Sequence, residues 1–411
     1  MLGHQPDAAP VLPTDSSAIQ DSRSDAVERG PAIPTVIVVG PPATQMGGMA
    51  SVVQQVLEID FGRRYRTRAV PCTFAPETGE TFRARVRRHI SQVGRLRETI
   101  RRWRAPIVHL HTCSGFSFFR SAVDMLAAQR LGARVLLHIH GAAFDRFFAE
   151  AGFLKRRLIS ASLSRADGVI ALSKQWRRKL QDMAPCGRIC VVENAVAIPP
   201  LRQPQQREQM DSVCHFLLLA RMDAWKGIDD LLTACARLRD RGVAFTLTLA
   251  GPPGSAGNAE QMERKIADRN LGSAVTYVGP ALGREKLRLF ESANVYVQPS
   301  HHEGMPISLL EALAHGLPVI ATTVGAIPEI ITQDQEGMLV PPHRPDLLAA
   351  AMSDLAGNPD RRARMSVAAR CTAERRFSLD RLRDDLVRLY DAVCREPVAS
   401  PIEARTALHA L

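Results

Sequence analysis

The chain has 411 residues, of which 45% are hydrophobic and 23% are charged, and this composition is typical of a globular protein. Because one core does not fill so long a chain, we expect two domains of roughly 150–200 residues each. No apolar run reaches the ~18–20 residues of a membrane-spanning helix, which argues against a membrane-spanning protein. The chain carries 53 Lys and Arg against 42 Asp and Glu, and the formal charge of +11 predicts an anionic partner: nucleic acid, an acidic lipid surface or a phosphorylated substrate.

The N-terminal residues 1–32 are rich in Pro, Ser, Asp and Ala and contain no apolar segment of signal-peptide length. They predict a disordered tail and a cytoplasmic protein. From Thr35 onward, short apolar runs alternate with helical stretches. Strands are predicted at 35–40, 107–111, 134–140, 168–173 and 188–194, and helices at 117–130, 153–165 and 174–183.

The alternation stops at AIPPLRQPQQREQMDS (197–212), a Pro- and Gln-rich segment that is typical of a linker. It resumes with predicted strands at 214–220, 244–251, 275–279, 294–300 and 318–323, and with helices at 227–241, 284–292, 306–315, 345–355, 360–375 and 379–395. This order indicates an α/β protein of two doubly wound, Rossmann-like domains that face each other across a cleft. Ligands of such sheets bind at the carboxyl ends of the strands.

Two acidic residues lie in the segment QPSHHEGMPISLLEALAHGLPVIATTVGAIPEII. Glu303 precedes Gly304, and Pro306 is predicted to open a helix. Glu311, eight positions after Glu303, would project from that helix near its start. Paired carboxylate oxygens suit sugar or ribose hydroxyls, and the Gly304 turn would direct backbone N–H groups of the helix start at a phosphate. The alternative is a helix cap at Glu303 and a surface carboxylate at Glu311.

Two cations lie in LLLARMDAWKGIDDLL (217–232). Arg221 directly follows a predicted buried strand, and Lys226 comes five residues later at the start of a helix. Both would emerge at the carboxyl end of the strand, where they could neutralise a diphosphate and stabilise it as a leaving group. The alternative is two solvated surface cations. That alternative is weakened because Glu303 and Glu311 are predicted at the same end of another strand.

Together these segments resemble family 4 of the retaining glycosyltransferases (glycosyl transferases group 1), which have the two-domain GT-B fold. EGMPISLLEA is similar to the family's E-x7-E motif, and ARMDAWKGIDDLL is similar to its Arg…Lys-Gly segment. VTYVGPALGREKLRLFESANVYVQPS resembles the strand and helix beside the nucleobase, and GAIPEII…EGMLV resembles the motif that closes the donor domain. The similarity covers nearly all of 214–342 in the expected order.

The resemblance implies a role for each of these residues. Glu303 would bind the hydroxyls of the donor sugar, Glu311 those of the ribose, and Arg221 and Lys226 the diphosphate. The remaining donor-binding residues implied are Gly279 and Pro280 beside the base, and Gly304, Met305 and Pro306 after Glu303. By the same resemblance, 33–196 is the acceptor-side domain, 213–376 is the nucleotide-sugar donor domain, 377–396 is a helix that crosses back to the N-terminal domain, and 397–411 is a tail.

The first half of the chain resembles the family's acceptor domain. GPPATQMGGMASVV places Gly47 and Gly48 where the family has a Gly-rich loop near the donor phosphate and the acceptor. LLHIHGAAF resembles a strand that ends in His-Gly, which implies that His140 lies in the cleft near the donor sugar. Asn194 stands where the family usually has Asn-Gly, and it is implied to bind substrate. The other histidines of the apolar strands, expected to be core or cleft-wall residues, are His109, His111 and His138.

No Asp-x-Asp sequence occurs in the chain, so no metal clamp for the diphosphate and no other cofactor is expected. Arg221, Lys226 and a helix N-terminus can hold a diphosphate without a metal. The resemblance implies transfer with retention of anomeric configuration, in which the leaving phosphate helps to deprotonate the acceptor hydroxyl.

Most of the positive charge lies in one stretch, since residues 61–104 contain thirteen Arg and three Glu. Within it, 82–104 is predicted to be a helix with an apolar face formed by Val86, Ile90, Val93, Leu96, Ile100 and Trp103. The helix is either packed on the domain with a solvated Arg face, or a surface for anionic lipid that holds the protein on the inner face of the cytoplasmic membrane. Few aromatics (5%) and no nucleic-acid-binding motif argue against nucleic acid.

The function expected from the resemblance is that of a retaining, hexosyltransferase-type glycosyltransferase. It would move a sugar from a nucleotide-diphosphate sugar to a lipid-linked or polysaccharide acceptor, in exopolysaccharide or lipopolysaccharide assembly. One alternative is a sugar-nucleotide epimerase of the same two-domain fold, which needs no second substrate. The other is a non-catalytic subunit that binds a nucleotide-sugar.

Overall fold

The computed structural model describes residues 33–42, 44–45, 47–72, 81–200, 213–254 and 257–395. The described residues from Pro34 onward form one compact unit. Three sequence predictions lie outside the described residues: the N-terminal tail (1–32), most of the linker (201–212) and the C-terminal tail (397–411).

The first lobe is built on a sheet of six parallel strands in the order β2-β1-β3-β4-β5-β6. Its strands are β1 (Thr35–Gly40), β2 (Arg66–Pro71), β3 (Ile107–Thr112), β4 (Arg134–Ile139), β5 (Gly168–Ala171) and β6 (Ile189–Val191). Its helices are α1 (Gly48–Glu58), α2 (Phe82–Trp103), α3 (Phe116–Gln129), α4 (Phe144–Ala149), α5 (Phe153–Arg165) and α6 (Lys174–Met183).

The second lobe is built on another sheet of six parallel strands, in the order β12-β11-β10-β7-β8-β9. Its strands are β7 (Cys214–Leu219), β8 (Phe245–Ala250), β9 (Val275–Gly279), β10 (Val295–Gln298), β11 (Val319–Thr322) and β12 (Gly337–Val340). Its helices are α7 (Ile228–Asp240), α8 (Ala259–Ala267), α9 (Gly283–Ser292), α10 (Ile307–Ala314), α11 (Ile327–Ile330), α12 (Pro345–Gly357) and α13 (Pro359–Arg376), with a 3₁₀ turn at Ala224–Lys226.

Helices cover both faces of each sheet, as strand β1 illustrates. Its alternate side chains enter different hydrophobic clusters, Val36 and Val38 in one, and Ile37 and Val39 in the other. A strand with both faces covered must be apolar at every position, and this explains the uninterrupted run TVIVVG. The prediction of an α/β protein with two doubly wound, Rossmann-like domains is confirmed.

The last helix, α14 (Leu379–Arg395), follows the second lobe in sequence but contacts the first. The Tyr390 hydroxyl lies 2.9 Å from Nδ1 of His109 on β3, and the Tyr65 hydroxyl donates to Asp391 over 2.7 Å. Just before α14, the backbone N–H of Val196 donates to the carbonyl of Phe377 over 2.8 Å. These contacts tie the end of the described chain to the first sheet.

Helix α2 is packed on the domain along only part of its predicted apolar face. Leu96 and Ile100 in its C-terminal half are buried against the sheet, whereas Val86 and Ile90 in its N-terminal half are exposed. Trp103 is also exposed. The apolar face predicted from the sequence is therefore covered over half of its length.

The sequence analysis did not predict strands β2 and β12, each of which lies at one edge of its sheet. Edge strand β2 (RTRAVP) is mostly exposed, so it has arginines where an interior strand has apolar residues. None of the helices within the described residues is both long and apolar enough to cross a membrane.

Candidate functional site

The chemistry-bearing residues of the second lobe meet at the carboxyl ends of two neighbouring strands. Arg221 and Lys226 follow β7, Glu303 follows β10, and β7 and β10 are paired in parallel. Because parallel neighbours end at the same edge of a sheet, residues 77 positions apart in sequence come into contact. This edge is the candidate site.

Glu303 is the buried centre of the site, with 6% of its side chain exposed. Its Oε1 lies 2.6 Å from Nζ of Lys226, whose side chain is 13% exposed. Gln298 Nε2 and Ser300 Oγ donate to the same oxygen over 2.8 and 2.7 Å. A cation and two neutral donors thus stabilise a carboxylate that has lost most of its water.

A glycine allows Lys226 to approach Glu303. Gly227 has φ 72°, and a Cβ at this position would lie 1.9 Å from the carbonyl oxygen of Pro299. Only glycine combines this left-handed backbone with so close an approach. The start of α7 therefore packs directly on the loop that carries Glu303.

Glu311 projects from α10 and pairs with a residue that the sequence analysis did not single out. Its Oε1 lies 2.6 Å from Nζ of Lys286 on α9, while its Oε2 is buried and has no partner among the described residues. Burial raises the pKa of Glu311, and Lys286 opposes that rise. The unpaired oxygen is free to accept a hydroxyl of a ligand.

Arg221 is placed differently from Lys226. Its guanidinium Nε donates to the carboxylate of Asp223, and about half of its side chain is exposed.

Gly279 and Pro280 lie at the end of β9, two strands from β7. Gly279 has φ 73°, and its carbonyl accepts from the backbone N–H of Gly251 over 2.7 Å.

The loop after Glu303 lies against the first lobe. A Cβ on Gly304 would lie 3.3 Å from the carbonyl oxygen of His140. The Asn194 side-chain amide donates to the Met305 carbonyl over 3.0 Å, while its Oδ1 is buried without a described partner. His140 and Asn194, two of the four predicted site residues of the first lobe, therefore adjoin the loop of the second.

Helix α10 and helix α1 meet at their N-terminal ends. A Cβ on Gly48, the first residue of α1, would lie 3.8 Å from Ile307, the first residue of α10. Gly47 caps α1 with φ 147°, and Pro306 caps α10. The sequence placed Pro306 inside the helix, but it is the N-cap, one residue before the first turn.

His140 belongs to a group of four stacked imidazoles on β3 and at the end of β4. Its Nε2 lies 2.8 Å from Nδ1 of His111, and Nε2 of His109 lies 3.2 Å from Nδ1 of His138. Burial lowers the pKa of His109 and of His140 to about 3, and it lowers the pKa values of His111 and His138 well below the ordinary 6.5. All four rings are therefore neutral at neutral pH.

The sequence analysis missed the polar residues that support the two acids. Gln298 and Ser300 bond Glu303, Lys286 bonds Glu311, and Asp223 binds Arg221. Gln298 offers a signal that could have revealed it, since it is a polar residue at the end of the buried strand β10. The Lys286–Glu311 pair has no such signal, because it joins two helices 25 residues apart.

Two family models match the chain, one for each lobe. The model described as "Glycosyl transferase 4-like domain" matches residues 35–195. The model described as "Glycosyl transferases group 1" matches residues 203–372, which contain both acids and both cations of the site. Together the two matches take in most of the chain.

The chain is similar in sequence to the amylovoran biosynthesis glycosyltransferase AmsK of Erwinia amylovora, with 28% identity over 256 residues. That match covers 60% of this chain and 58% of AmsK, so the chain spans little more than half the length of this relative.

Solved structures share the fold of the chain. Sucrose-phosphate synthase of Thermosynechococcus elongatus aligns with a TM-score of 0.73 and 21% identity, over 88% of this chain and 99% of the synthase. HepE of Anabaena in complex with UDP-glucose aligns with a TM-score of 0.67 and 16% identity, over 87% of this chain and 99% of HepE.

The buried histidines predict that the folded state is unstable to mild acid. Their pKa values lie below the ordinary 6.5, so the unfolded chain binds more protons and stability falls as pH drops from 6.5 toward 3. Each such histidine contributes about 1.4 kcal/mol per pH unit within this window. Urea denaturation between pH 7 and pH 5 should therefore show a steep loss of unfolding free energy. His109→Gln should reduce the slope by roughly one histidine's share.

The exposed His302 provides the matched control for this measurement. His302→Gln removes a histidine that solvent reaches in both states, and it should leave the slope as in the wild type. An unfolding free energy that does not change between pH 7 and pH 5 would show that the histidines are not neutral and buried.

Proposed function

The chain belongs to the group 1 glycosyltransferases of family 4, and we propose that it transfers a sugar from a nucleotide-diphosphate sugar to a lipid-linked or polysaccharide acceptor. One observation carries the proposal: a buried carboxylate, Glu303, is paired with Lys226 at the carboxyl ends of adjacent strands. Such an edge is where open α/β sheets bind ligands. An acid and a cation together there suit a ligand that has both hydroxyls and phosphates.

In this proposal the donor binds with its diphosphate beside β7. Lys226 and Arg221 are the cations at this edge, and the start of α10 offers backbone N–H groups. Lys226 pairs with Glu303 over 2.6 Å, so the diphosphate would draw Nζ partly away from that carboxylate. The site then needs no metal to neutralise the diphosphate.

Glu303 would accept hydrogen bonds from the sugar, and Glu311 from the ribose. The Oε2 of Glu311 supports the ribose assignment because it is a buried acceptor with no donor among the described residues. Gly279 and Pro280, at the end of β9, would contact the nucleobase. HepE, which shares the fold, binds UDP-glucose, and this supports a nucleotide-sugar as the donor class.

The transfer step is proposed to proceed on one face of the sugar, with retention of configuration. The acceptor hydroxyl oxygen bonds to the anomeric carbon while the bond from that carbon to the diphosphate oxygen breaks. The proton of the hydroxyl passes to the departing phosphate, and Lys226 and Arg221 stabilise its charge. His140, neutral and beside Gly304, would line the acceptor side of the reacting sugar.

Polysaccharide assembly is the proposed role. AmsK is named for the biosynthesis of amylovoran, and its match extends over 256 residues of alignment. The family matches support a transferase over the epimerase and over a non-catalytic subunit, because both matched families are glycosyltransferases. This similarity and the basic surface of the first lobe support the proposed acceptor class.

Donor screening tests the activity. With a panel of UDP-, GDP- and ADP-sugars, we expect the chain to release a nucleoside diphosphate only when a membrane extract supplies the acceptor. Glu303→Gln and Lys226→Ala should each lower kcat/KM by roughly a hundredfold or more, because each removes a charge placed at the reacting groups. Arg264→Ala is the matched control, since this exposed cation of the second lobe pairs with Glu260 across one helical turn, away from the site.

The screen also separates the alternatives. Turnover without acceptor would favour the epimerase, and binding of a nucleotide-sugar without turnover would favour the non-catalytic subunit. Unchanged turnover in both Glu303→Gln and Lys226→Ala would contradict the assignment of the site.

We also propose that the basic surface of α2 binds anionic lipid on the inner face of the cytoplasmic membrane. Phe82, Val86 and Ile90 follow one another at four-residue intervals, and they form an exposed apolar stripe with Phe82 65% and Ile90 66% accessible. Exposed arginines, including Arg83 and Arg87, flank the stripe. An apolar stripe between cations is typical of helices that lie in a lipid interface.

A second exposed apolar group lies at the start of α5 and supports the same proposal. Phe153 and Leu154 are exposed, and the cations Lys155, Arg156 and Arg157 follow directly. Both α2 and α5 belong to the first lobe, which is the proposed acceptor side. Membrane contact here would bring the site to a lipid-linked acceptor.

Vesicle flotation tests the lipid surface. The chain should float at low salt with phosphatidylcholine vesicles that contain phosphatidylglycerol, and much less with phosphatidylcholine alone or at high salt. Phe82→Asp together with Ile90→Asp should abolish flotation. Val367→Asp, which changes an equally exposed apolar residue of the second lobe, should have no effect. Failure of the wild type to float on anionic vesicles at low salt would refute the proposal.

A further inference from the structure

Three potential metal ligands converge beside the candidate site without belonging to it. Asp230 lies in the first turn of α7, His301 in the loop after β10, and His343 in the loop after β12. One ligand atom from each lies within 4.8 Å of the other two. Three separate elements of the second lobe thus place two imidazoles and a carboxylate around one point.

The contacts within this group are short. Nε2 of His301 lies 2.8 Å from Oδ2 of Asp230, and the His301 and His343 rings have centroids 3.7 Å apart. His301 and Asp230 are part-buried, with side chains 19% and 24% exposed. His343 is exposed, so an ion could reach the group from solvent.

The backbone conformation of His343 is unusual for a residue other than glycine. His343 has φ 59°, in the left-handed region where glycine is least strained. A histidine there is strained relative to an ordinary backbone conformation. This strained backbone places the His343 imidazole against that of His301. We infer that the imidazole itself is required at this position.

We propose that Asp230, His301 and His343 bind a divalent transition-metal ion, with Zn²⁺ as the ion that best suits the ligands. Two imidazoles and one carboxylate favour Zn²⁺, Co²⁺ or Ni²⁺ over Mg²⁺, which prefers oxygen ligands. Three protein ligands leave a further position for water. This inference goes beyond the proposed glycosyl transfer, because neither Glu303 nor Lys226 is a ligand.

The ion would act on the geometry of the neighbouring site. His301 lies two residues before Glu303, and its backbone N–H donates to the Trp225 carbonyl over 2.8 Å. Trp225 directly precedes Lys226, whose Nζ lies 4.2 Å from the Trp225 ring centroid. Joining Asp230, His301 and His343 through one ion would hold the Glu303 loop against α7, so these residues act as positioning residues.

Cobalt binding tests the site directly. Full-length protein produced without a histidine tag should bind one Co²⁺ per chain, with d–d absorption bands in the visible range that Zn²⁺ abolishes by displacement. Zn²⁺ should also raise the midpoint of thermal unfolding. Neither readout depends on glycosyl transfer, so failure of the proposed function would leave this result unaffected.

His343→Gly is the decisive variant because glycine suits the left-handed backbone while removing a ligand. It should weaken Co²⁺ binding at least tenfold and lose the thermal response to Zn²⁺, yet remain as stable as the wild type without metal. Asp230→Asn should also weaken binding. His302→Ala, which removes the adjacent exposed histidine outside the group, should bind as the wild type does.

Two results would overturn the proposal. The first is a wild type that binds no Co²⁺ or Zn²⁺. The second is a His343→Gly variant with unchanged affinity and spectrum, which would place the ion elsewhere, for example at the buried group of His109, His111 and His138.

Discussion

The ion pair between Glu303 and Lys226 is the constraint on which the site depends. A carboxylate with 6% of its side chain exposed is costly unless charges and donors replace its water, and Lys226, Gln298 and Ser300 do so. Lys226 follows β7 and Glu303 follows β10, so the pair forms only when these strands are neighbours. The close approach of Gly227 to Pro299 then fixes the start of α7 against the Glu303 loop. The order of the strands, the glycine at position 227 and the buried ion pair therefore depend on one another.

The same loop joins the two lobes. Residues after Glu303 contact His140 and Asn194 of the first lobe, and the carboxylate of Glu329 accepts from the backbone N–H groups of Lys174 and Gln175 at the start of α6, over 2.9 and 2.6 Å. A carboxylate at a helix N-terminus satisfies otherwise unpaired donors and interacts favourably with the helix dipole. In the proposed transfer, such contacts would bring a donor held on the second lobe and an acceptor held on the first to one point.

Local sequence features predicted the central part of the fold and most of the candidate site. Interior strands such as β1 are apolar throughout, and Glu303 and Lys226 stand at strand ends that pattern alone locates. The missed strands are edge strand β2, whose arginines obscure its periodicity, and short strand β12, and the missed helices are α1, α4, α8 and α11. The Lys286–Glu311 pair and the apposition of His301 with His343 could not be predicted, because they depend on how distant elements pack. The exposed half of α2 was unpredictable for the same reason, since periodicity defines an apolar face without saying what covers it.

The central claim is that Glu303 binds the sugar while Lys226 binds the diphosphate. Isothermal titration calorimetry of both variants with the preferred nucleotide-sugar, and with its nucleoside diphosphate alone, tests this division. Lys226→Ala should weaken binding of both ligands, because both contain the diphosphate. Glu303→Gln should weaken binding of the nucleotide-sugar at least tenfold and leave binding of the nucleoside diphosphate unchanged or slightly tighter, since a repulsive charge near the phosphates is gone. Equal loss of both ligands in Glu303→Gln would contradict the account.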